Sequence, residues 1–114
     1  MYFKFVLAST ALLCVGIASG WTKYNCYYCN VKSDNDPQGV LNCRHFVNIT
    51  ATDKCKGGCI FYYGIIKGTK EGTTQDVARR FCSSVRACGW LKEHGEANRY
   101  CQQCQTDYCN TDIY

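Results

Sequence analysis

The chain has 114 residues, of which 11 are cysteine, 13 are Lys or Arg and 9 are Asp or Glu. Its hydrophobic content of 46% is too high for a disordered tail, and its length is too short for two cores, so one small globular domain is expected. The net charge of +4 comes without a Lys/Arg run, which argues against a nucleic-acid partner.

Residues 1–20 have the features of a secretory signal peptide. A lysine near the amino end precedes an apolar stretch of roughly a dozen residues, whereas a membrane span needs about 20. Ala18 and Gly20 are small residues at the positions that signal peptidase requires before Trp21. We therefore expect cleavage after Gly20, a secreted extracellular product and one domain over residues 21–114. A retained signal anchor is the alternative.

Cysteine dominates the composition of the expected product. Cleavage would remove Cys14 and leave an even number of cysteines, which predicts five disulfides in an oxidising compartment. A thiolate zinc site built from the two Cys-x-x-Cys motifs is an alternative, and the first motif also has the spacing of a redox dithiol. Oxidation after secretion and the six further cysteines favour structural disulfides. The remaining cysteines are Cys26, Cys29, Cys43, Cys55, Cys59, Cys82, Cys88, Cys101, Cys104 and Cys109.

The first half of the domain predicts strands separated by polar turns. Tyr24–Tyr28 is expected to be the first strand, and the polar segment 33–39 predicts a turn before Val40, so a short first hairpin is expected. Ile60–Lys67 is aromatic and β-branched with apolar residues on both faces, which is typical of a central strand.

The second half continues with a long hairpin and a third excursion. The glycine-bounded loop 68–74 and the alternating segment Asp76–Cys82 complete the hairpin that Ile60–Lys67 begins. Arg79 and Arg80 are expected to form a solvated strand face. Trp90–His94 predicts one helical turn ended by a glycine, followed by a return strand.

The chain has three expected segments that project from a cysteine-dense base and return to it. In this it resembles the three-finger superfamily, which includes snake neurotoxins and the lymphocyte antigen 6 / urokinase receptor domains. The resemblance covers residues 24–110 and rests on the opening Cys26-x-x-Cys29, the order of ten cysteines and the terminal Cys104-x4-Cys109-Asn110. Val77–Cys82 and the close spacing of Cys55 and Cys59 look more like invertebrate members, including the quiver/sleepless-like group. The resemblance implies a small disulfide-rich all-β fold with three β-hairpins projecting from the base.

The resemblance also implies a disulfide pairing and one structural residue. The amide of Asn110 can both donate and accept hydrogen bonds, so it is expected to tie the C-terminal knuckle to the backbone of an early strand. An Asn that only occupies a turn is the alternative. The implied disulfides are Cys26–Cys59, Cys29–Cys43, Cys55–Cys82, Cys88–Cys101 and Cys104–Cys109.

No catalytic constellation, metal site or cofactor motif is apparent. The two histidines, His45 and His94, lie in polar loops, and nothing pairs a nucleophile with a base. The resemblance instead implies a non-enzymatic binding module that modulates a membrane receptor or ion channel through its finger loops. The alternative is an extracellular adhesion or assembly partner, at a cell junction or for another three-finger protein.

The second finger is the long hairpin closed by loop 68–74, and the third finger contains Trp90–His94. The cationic tip of the second finger, on its aromatic strand, and the third finger are expected to contact the partner. The tyrosines could instead pack across strands, and the loop could merely close a hairpin. The candidate contact residues are Lys67, Lys70, Glu71, Tyr62, Tyr63 and Trp90.

The sequence bears on two modifications, N-glycosylation and a C-terminal lipid anchor. Asn48-Ile49-Thr50 is the only Asn-x-Ser/Thr sequon, and we expect it to carry an N-glycan. A lipid anchor would need an apolar C-terminal tail of roughly 10 to 20 residues. Only 5 residues follow Cys109, so a freely secreted protein without a lipid anchor is expected, unless an isoform carries such a tail.

Overall fold

The computed structural model describes residues 23–84 and 86–114. The predicted signal peptide and its cleavage site lie outside these ranges. Within them, no helix has the length and apolar character needed to cross a membrane. The elements in chain order are β1 Tyr24–Tyr27, β2 Cys29–Lys32, α1 Pro37–His45, β3 Thr52–Cys55, β4 Cys59–Lys67, β5 Thr74–Cys82, α2 Ala87–Glu93 and β6 Tyr100–Cys104.

The strands form two antiparallel sheets. A small sheet pairs β1 with β3, and a larger one has the strand order β2-β5-β4-β6. β4 is hydrogen-bonded on both sides, which confirms the central strand that its apolar sequence predicts. The long hairpin is also confirmed, because β4 and β5 pair over nine residues each, from Cys59 opposite Cys82 to Lys67 opposite Thr74.

The predicted first hairpin is wrong. β1 pairs with β3, β2 pairs with β5, and Val40 lies in α1 rather than in a strand. The Asp36 carboxylate accepts a hydrogen bond of 2.9 Å from the Gly39 amide, and Pro37 occupies the first turn, where a missing N–H costs nothing. The Asp-Pro pair that indicates a turn therefore begins a helix.

A helix covers each face of the larger sheet. Neighbouring residues of a strand point to opposite faces, so two coverings explain why the first six residues of β4 are all buried. The α1 side of the sheet packs Val40 and Cys43 against Phe61, Tyr63 and Ala78. The α2 side packs Ala87 and Leu91 against Ile60, Tyr62 and Val77.

Five disulfides hold this small, mostly-β domain together. Cys26–Cys59 joins two fully buried residues 33 positions apart, while Cys104–Cys109 spans only 5. In the chain-entropy account these loops stabilise the fold by about 4 and about 2 kcal/mol. Because both Cys-x-x-Cys motifs are consumed in disulfides, they hold no thiolates for zinc or redox exchange. The pairs are those that the resemblance implies: Cys26–Cys59, Cys29–Cys43, Cys55–Cys82, Cys88–Cys101 and Cys104–Cys109.

Candidate protein-binding surfaces

The loop between β4 and β5 is an internally hydrogen-bonded turn. The Gly68 amide donates to the Thr73 carbonyl at 2.8 Å, and the Thr73 amide and hydroxyl both donate to the Lys70 carbonyl, at 3.1 and 2.6 Å. Gly72 has a φ of 78°, which glycine adopts without a steric penalty. The loop that closes the long hairpin therefore has a defined backbone conformation.

A neighbouring turn supports this loop through Asp34. The Asp34 carboxylate accepts hydrogen bonds from the Thr69 amide at 2.7 Å and the Thr69 hydroxyl at 2.9 Å. These two bonds, with the positive charge of Lys70, lower the pKa of Asp34 against a smaller opposing effect of desolvation. The Asp34 amide in turn donates to Gln75, whose side chain donates to the Lys67 carbonyl, both at 3.1 Å. The turn and the loop thus form one hydrogen-bonded unit.

The tip, residues 67–71, presents charged side chains of both signs. Lys67, Lys70 and Glu71 are all exposed, as the prediction requires. Lys67 and Lys70 are the cations of the tip, while Glu71 and the supporting Asp34 carry negative charges, and hydrogen bonds define the backbone of the tip. The tip can therefore match a partner surface that carries both acidic and basic groups.

The two predicted tyrosines lie in the core rather than on the surface. Tyr62 is 0% exposed and donates a 2.5 Å hydrogen bond to Glu96, while Tyr63 is 7% exposed and donates a 2.9 Å bond to Asp76. Burial first, and then these bonds to carboxylates, raise the pKa of both phenols. Because neither side chain can reach a partner, the proposed contact surface does not include them.

Trp90 is the predicted aromatic residue that does reach the surface. It lies on the outer side of α2, is 57% exposed, and stacks on His94 with 3.9 Å between ring centroids. It borders a pocket of about 290 Å³ between α2 and β5. The pocket is lined by Arg79, Phe81, Ser83, Ser84, Ala87, Trp90 and Leu91.

Arg79 and Arg80 do not share a solvated face, so that prediction is wrong. Arg80 points towards α1, is 0% exposed, and lies 3.8 Å from the centroid of the Phe61 ring. Burial lowers the pKa of Arg80 to about 10, opposed by the charge of Asp112, so the guanidinium stays charged at neutral pH. Its donors reach four backbone carbonyls, at distances of 2.8, 2.7, 3.2 and 2.7 Å: those of Cys43, Asn110, Arg44 and Asp112. The alternation of side chains in β5 separates the two arginines, and the apolar residues on both faces of the neighbouring strand β4 are the sequence signal that each face is covered.

Asn110 makes the tie that was predicted for it. It is 0% exposed, accepts from the Tyr27 amide at 3.0 Å, and donates to the carbonyls of Tyr27 and Ile60, both at 3.0 Å. One side chain therefore joins the C-terminal segment to β1 and to the central strand β4.

The remaining motif residues lie at the surface. Asn48 is exposed between α1 and β3 with a φ of 58°, so its sequon is accessible. His45 is exposed at the end of α1, and His94 contacts the Trp90 carbonyl through Nδ1 at 2.8 Å. His45 is the last residue of α1 and His94 directly follows α2, and neither contacts a hydroxyl or thiol among the described contacts.

Comparisons of the chain with protein-family models, with curated proteins and with solved structures find no match. The functional assignment therefore depends on the geometry of the surfaces described above.

Proposed function

We propose that this protein is a secreted, non-enzymatic binding module of the three-finger type that modulates a membrane receptor or ion channel through its tip. The observation that carries the proposal is the preorganisation of the tip by the Thr73 and Asp34 hydrogen bonds. A loop that is already ordered loses little conformational entropy when it binds, so more of the contact energy appears as affinity.

The charges of the tip suit recognition of a protein surface. Lys67, Lys70 and Glu71 are exposed, and within the described ranges their side chains form no ion pair or hydrogen bond. They are therefore available to a partner. Complementary charges on the partner would steer the encounter and select against surfaces with the wrong pattern.

The three-finger assignment is supported by the order of the cysteines, the five pairs and the long β4–β5 hairpin. Two features depart from three simple hairpins. α1 lies between β2 and β3, where the first hairpin would have its second strand, and α2 lies between β5 and β6, in the third finger. The hairpin that carries the tip keeps its full length.

The alternative function, an extracellular adhesion or assembly partner, is favoured by a second exposed surface at Trp90. This surface lies beside Arg79, which is five residues along β5 from Thr74 at the tip end of the hairpin. At about 3.3 Å per residue the two surfaces are about 17 Å apart along the strand. A partner that uses the Trp90 surface therefore need not touch the tip.

A pull-down from solubilised cell membranes tests the proposal. The mature domain is compared with a tip variant carrying Lys67→Ser, Lys70→Ser and Glu71→Ser. We expect the tip variant to fold normally, because it alters no cysteine or buried residue, and to lose capture of the receptor or channel.

The matched control carries Lys23→Ser, Asp53→Ser and Lys54→Ser, which remove the same charges from exposed positions at or near the small sheet. It should capture the partner as the parent does. Equal capture by the tip variant would contradict a tip-mediated function. Capture of adhesion or matrix proteins that tolerates the tip variant but is lost in Trp90→Ser would support the alternative.

A further inference from the structure

We propose that the pocket between Arg79 and Trp90 is a second binding site, which takes an acidic side chain with a neighbouring apolar or aromatic side chain from a protein partner. It differs from the tip in position, in lining and in the chemistry of its occupant.

The donors of Arg79 are largely unused. A guanidinium has five N–H donors, but Arg79 makes only one hydrogen bond with the described residues, a long contact of 3.4 Å to the Tyr62 hydroxyl. That hydroxyl also donates to the Glu96 carboxylate, so Arg79 and Glu96 contact the same phenol oxygen. The neighbouring Arg80 shows the contrast, since it makes four hydrogen bonds to backbone carbonyls. Arg79 therefore keeps the capacity to bind a carboxylate through two parallel hydrogen bonds.

The guanidinium of Arg79 is held by an aromatic ring rather than by hydrogen bonds. Its central carbon lies 4.3 Å from the centroid of the Phe81 ring, and its Nε is buried without an acceptor. A buried donor without a partner is uncommon in native proteins. Binding through the edge that contains Nε requires the guanidinium to rotate towards the pocket, so that Nε meets the bound carboxylate.

The charges around the pocket select an acidic occupant. Arg86 is exposed at the start of α2. On the edge strand β2, Asn30 lies opposite Arg79, and Lys32 lies opposite Val77. Among the residues that the structure describes, the lining contains one cation and no carboxylate. A ligand carboxylate therefore meets positive charge without direct repulsion from the wall.

The rest of the lining selects an apolar group beside that carboxylate. Phe81, Ala87, Trp90 and Leu91 form an apolar wall, and Trp90 leaves 57% of its surface exposed. Tryptophan and arginine, with tyrosine, are enriched at the energetic centres of protein interfaces. Ser83 and Ser84 add hydroxyls at the rim.

A second depression of about 410 Å³ provides the competing location. It is lined by Lys92, Ala97, Asn98, Arg99, Tyr100 and Cys101, so it too carries positive charge. Its Asn98 side chain is occupied by hydrogen bonds to the backbone of Ile65 and Gly95. Its described lining residues do not include Trp90, and we therefore place the site at Arg79.

NMR titration of the secreted, disulfide-intact protein with a small probe tests this proposal. The probe is N-acetyl-phenylalanyl-glutamate amide, and its matched control has glutamine in place of glutamate. The acidic probe should shift the Trp90 indole, the Phe81 amide and the Arg79 Nε–H signals. We expect its affinity to exceed that of the glutamine probe by at least about threefold, the contribution of a partly exposed charge-assisted hydrogen bond.

Two variants assign the effect to one arginine. Arg79→Met keeps an unbranched apolar side chain over Phe81 and removes the charge, so the preference for the acidic probe should disappear. Arg86→Met removes an equal charge nearby, outside the lining, and should reduce that preference less than Arg79→Met does. An otherwise unchanged spectrum shows that each variant is folded.

The proposal is overturned if both probes bind equally, if Arg79→Met retains the preference, or if the shifts concentrate in residues 97–101. No receptor is needed for this titration. Its failure therefore leaves the tip proposal intact, and failure of the membrane pull-down leaves this one intact.

Discussion

Substitution of Arg80 by Met should destabilise the domain strongly, although Arg80 belongs to neither of the proposed binding surfaces. Its guanidinium joins the carbonyls at the end of α1 to those of the C-terminal segment. Met keeps much of the apolar volume over Phe61, so the substitution tests the hydrogen bonds rather than the packing.

The expected magnitude follows from the acceptors that would lose their donor. Two of the four carbonyls belong to fully buried residues, Cys43 and Asn110. An unsatisfied buried acceptor costs about 1–3 kcal/mol, so the pair costs about 2–6 kcal/mol. Removal of the buried Arg80 charge offsets part of this cost, because the desolvation of the guanidinium no longer opposes folding. We expect a net loss of about 2–4 kcal/mol in the free energy of unfolding.

Arg79→Met is the matched control, because it changes the adjacent residue in the same way on the other face of the sheet. Arg79 is partly exposed and makes one 3.4 Å hydrogen bond, so we expect a loss below about 1 kcal/mol. Arg80→Lys should give an intermediate loss, because one ammonium group has three donors and cannot reach all four carbonyls.

Guanidinium chloride unfolding with the disulfides intact measures these differences at pH 7. Mass mapping of the disulfides should precede it, so that a mispaired variant is not mistaken for a destabilised one. If Arg80→Met were as stable as Arg79→Met to within about 0.5 kcal/mol, the four hydrogen bonds would not be a major source of the stability of the domain.

Three further outcomes are expected. Burial and the bond to Glu96 raise the pKa of Tyr62 above its usual value of about 10. The contribution of the neutral Tyr62 phenol to the free energy of unfolding is therefore complete below pH 10 and is lost as the pH rises through the folded pKa. In an absorbance titration, Tyr62→Phe should therefore remove a late-titrating phenol, and loss of an early one would contradict this. Thr69→Val should raise the pKa of Asp34 towards its usual value, and an unchanged carboxyl-carbon NMR titration would refute the role of the hydroxyl bond. Protein secreted from a eukaryotic host should migrate faster after deglycosylation and in Asn48→Gln, and unchanged mobility would show that the sequon is unused.

Local sequence patterns were sufficient to predict the elements that depend on local interactions. The aromatic and β-branched run in β4 predicts a central strand because such side chains pack well on both faces of a pleated sheet. The polar, glycine-bounded loop predicts the hairpin because it interrupts two strand-forming segments. The exposed lysines of the tip could be predicted for the same reason, since they lie in that loop.

The candidate surfaces could be predicted only in part. Trp90 is exposed as a contact residue should be, but Tyr62 and Tyr63 resemble it in sequence and are buried. An aromatic residue can serve equally in a core or in an interface, and its neighbours in space decide between them. The support of the tip by Asp34 also depends on residues more than 30 positions apart, which no short-range pattern reveals.

The sequence by itself determined the ten cysteines available for disulfides, the strand-forming segments and the polar loop, because these depend on residue type and local pattern. The tertiary structure decided that β1 pairs with β3 and that a helix covers each face of the larger sheet. Those coverings give adjacent arginines different roles: Arg80 is enclosed among backbone carbonyls, and Arg79 borders an open pocket. The physical reason is that strand alternation sends two neighbours to opposite faces, while long-range packing determines what each face meets.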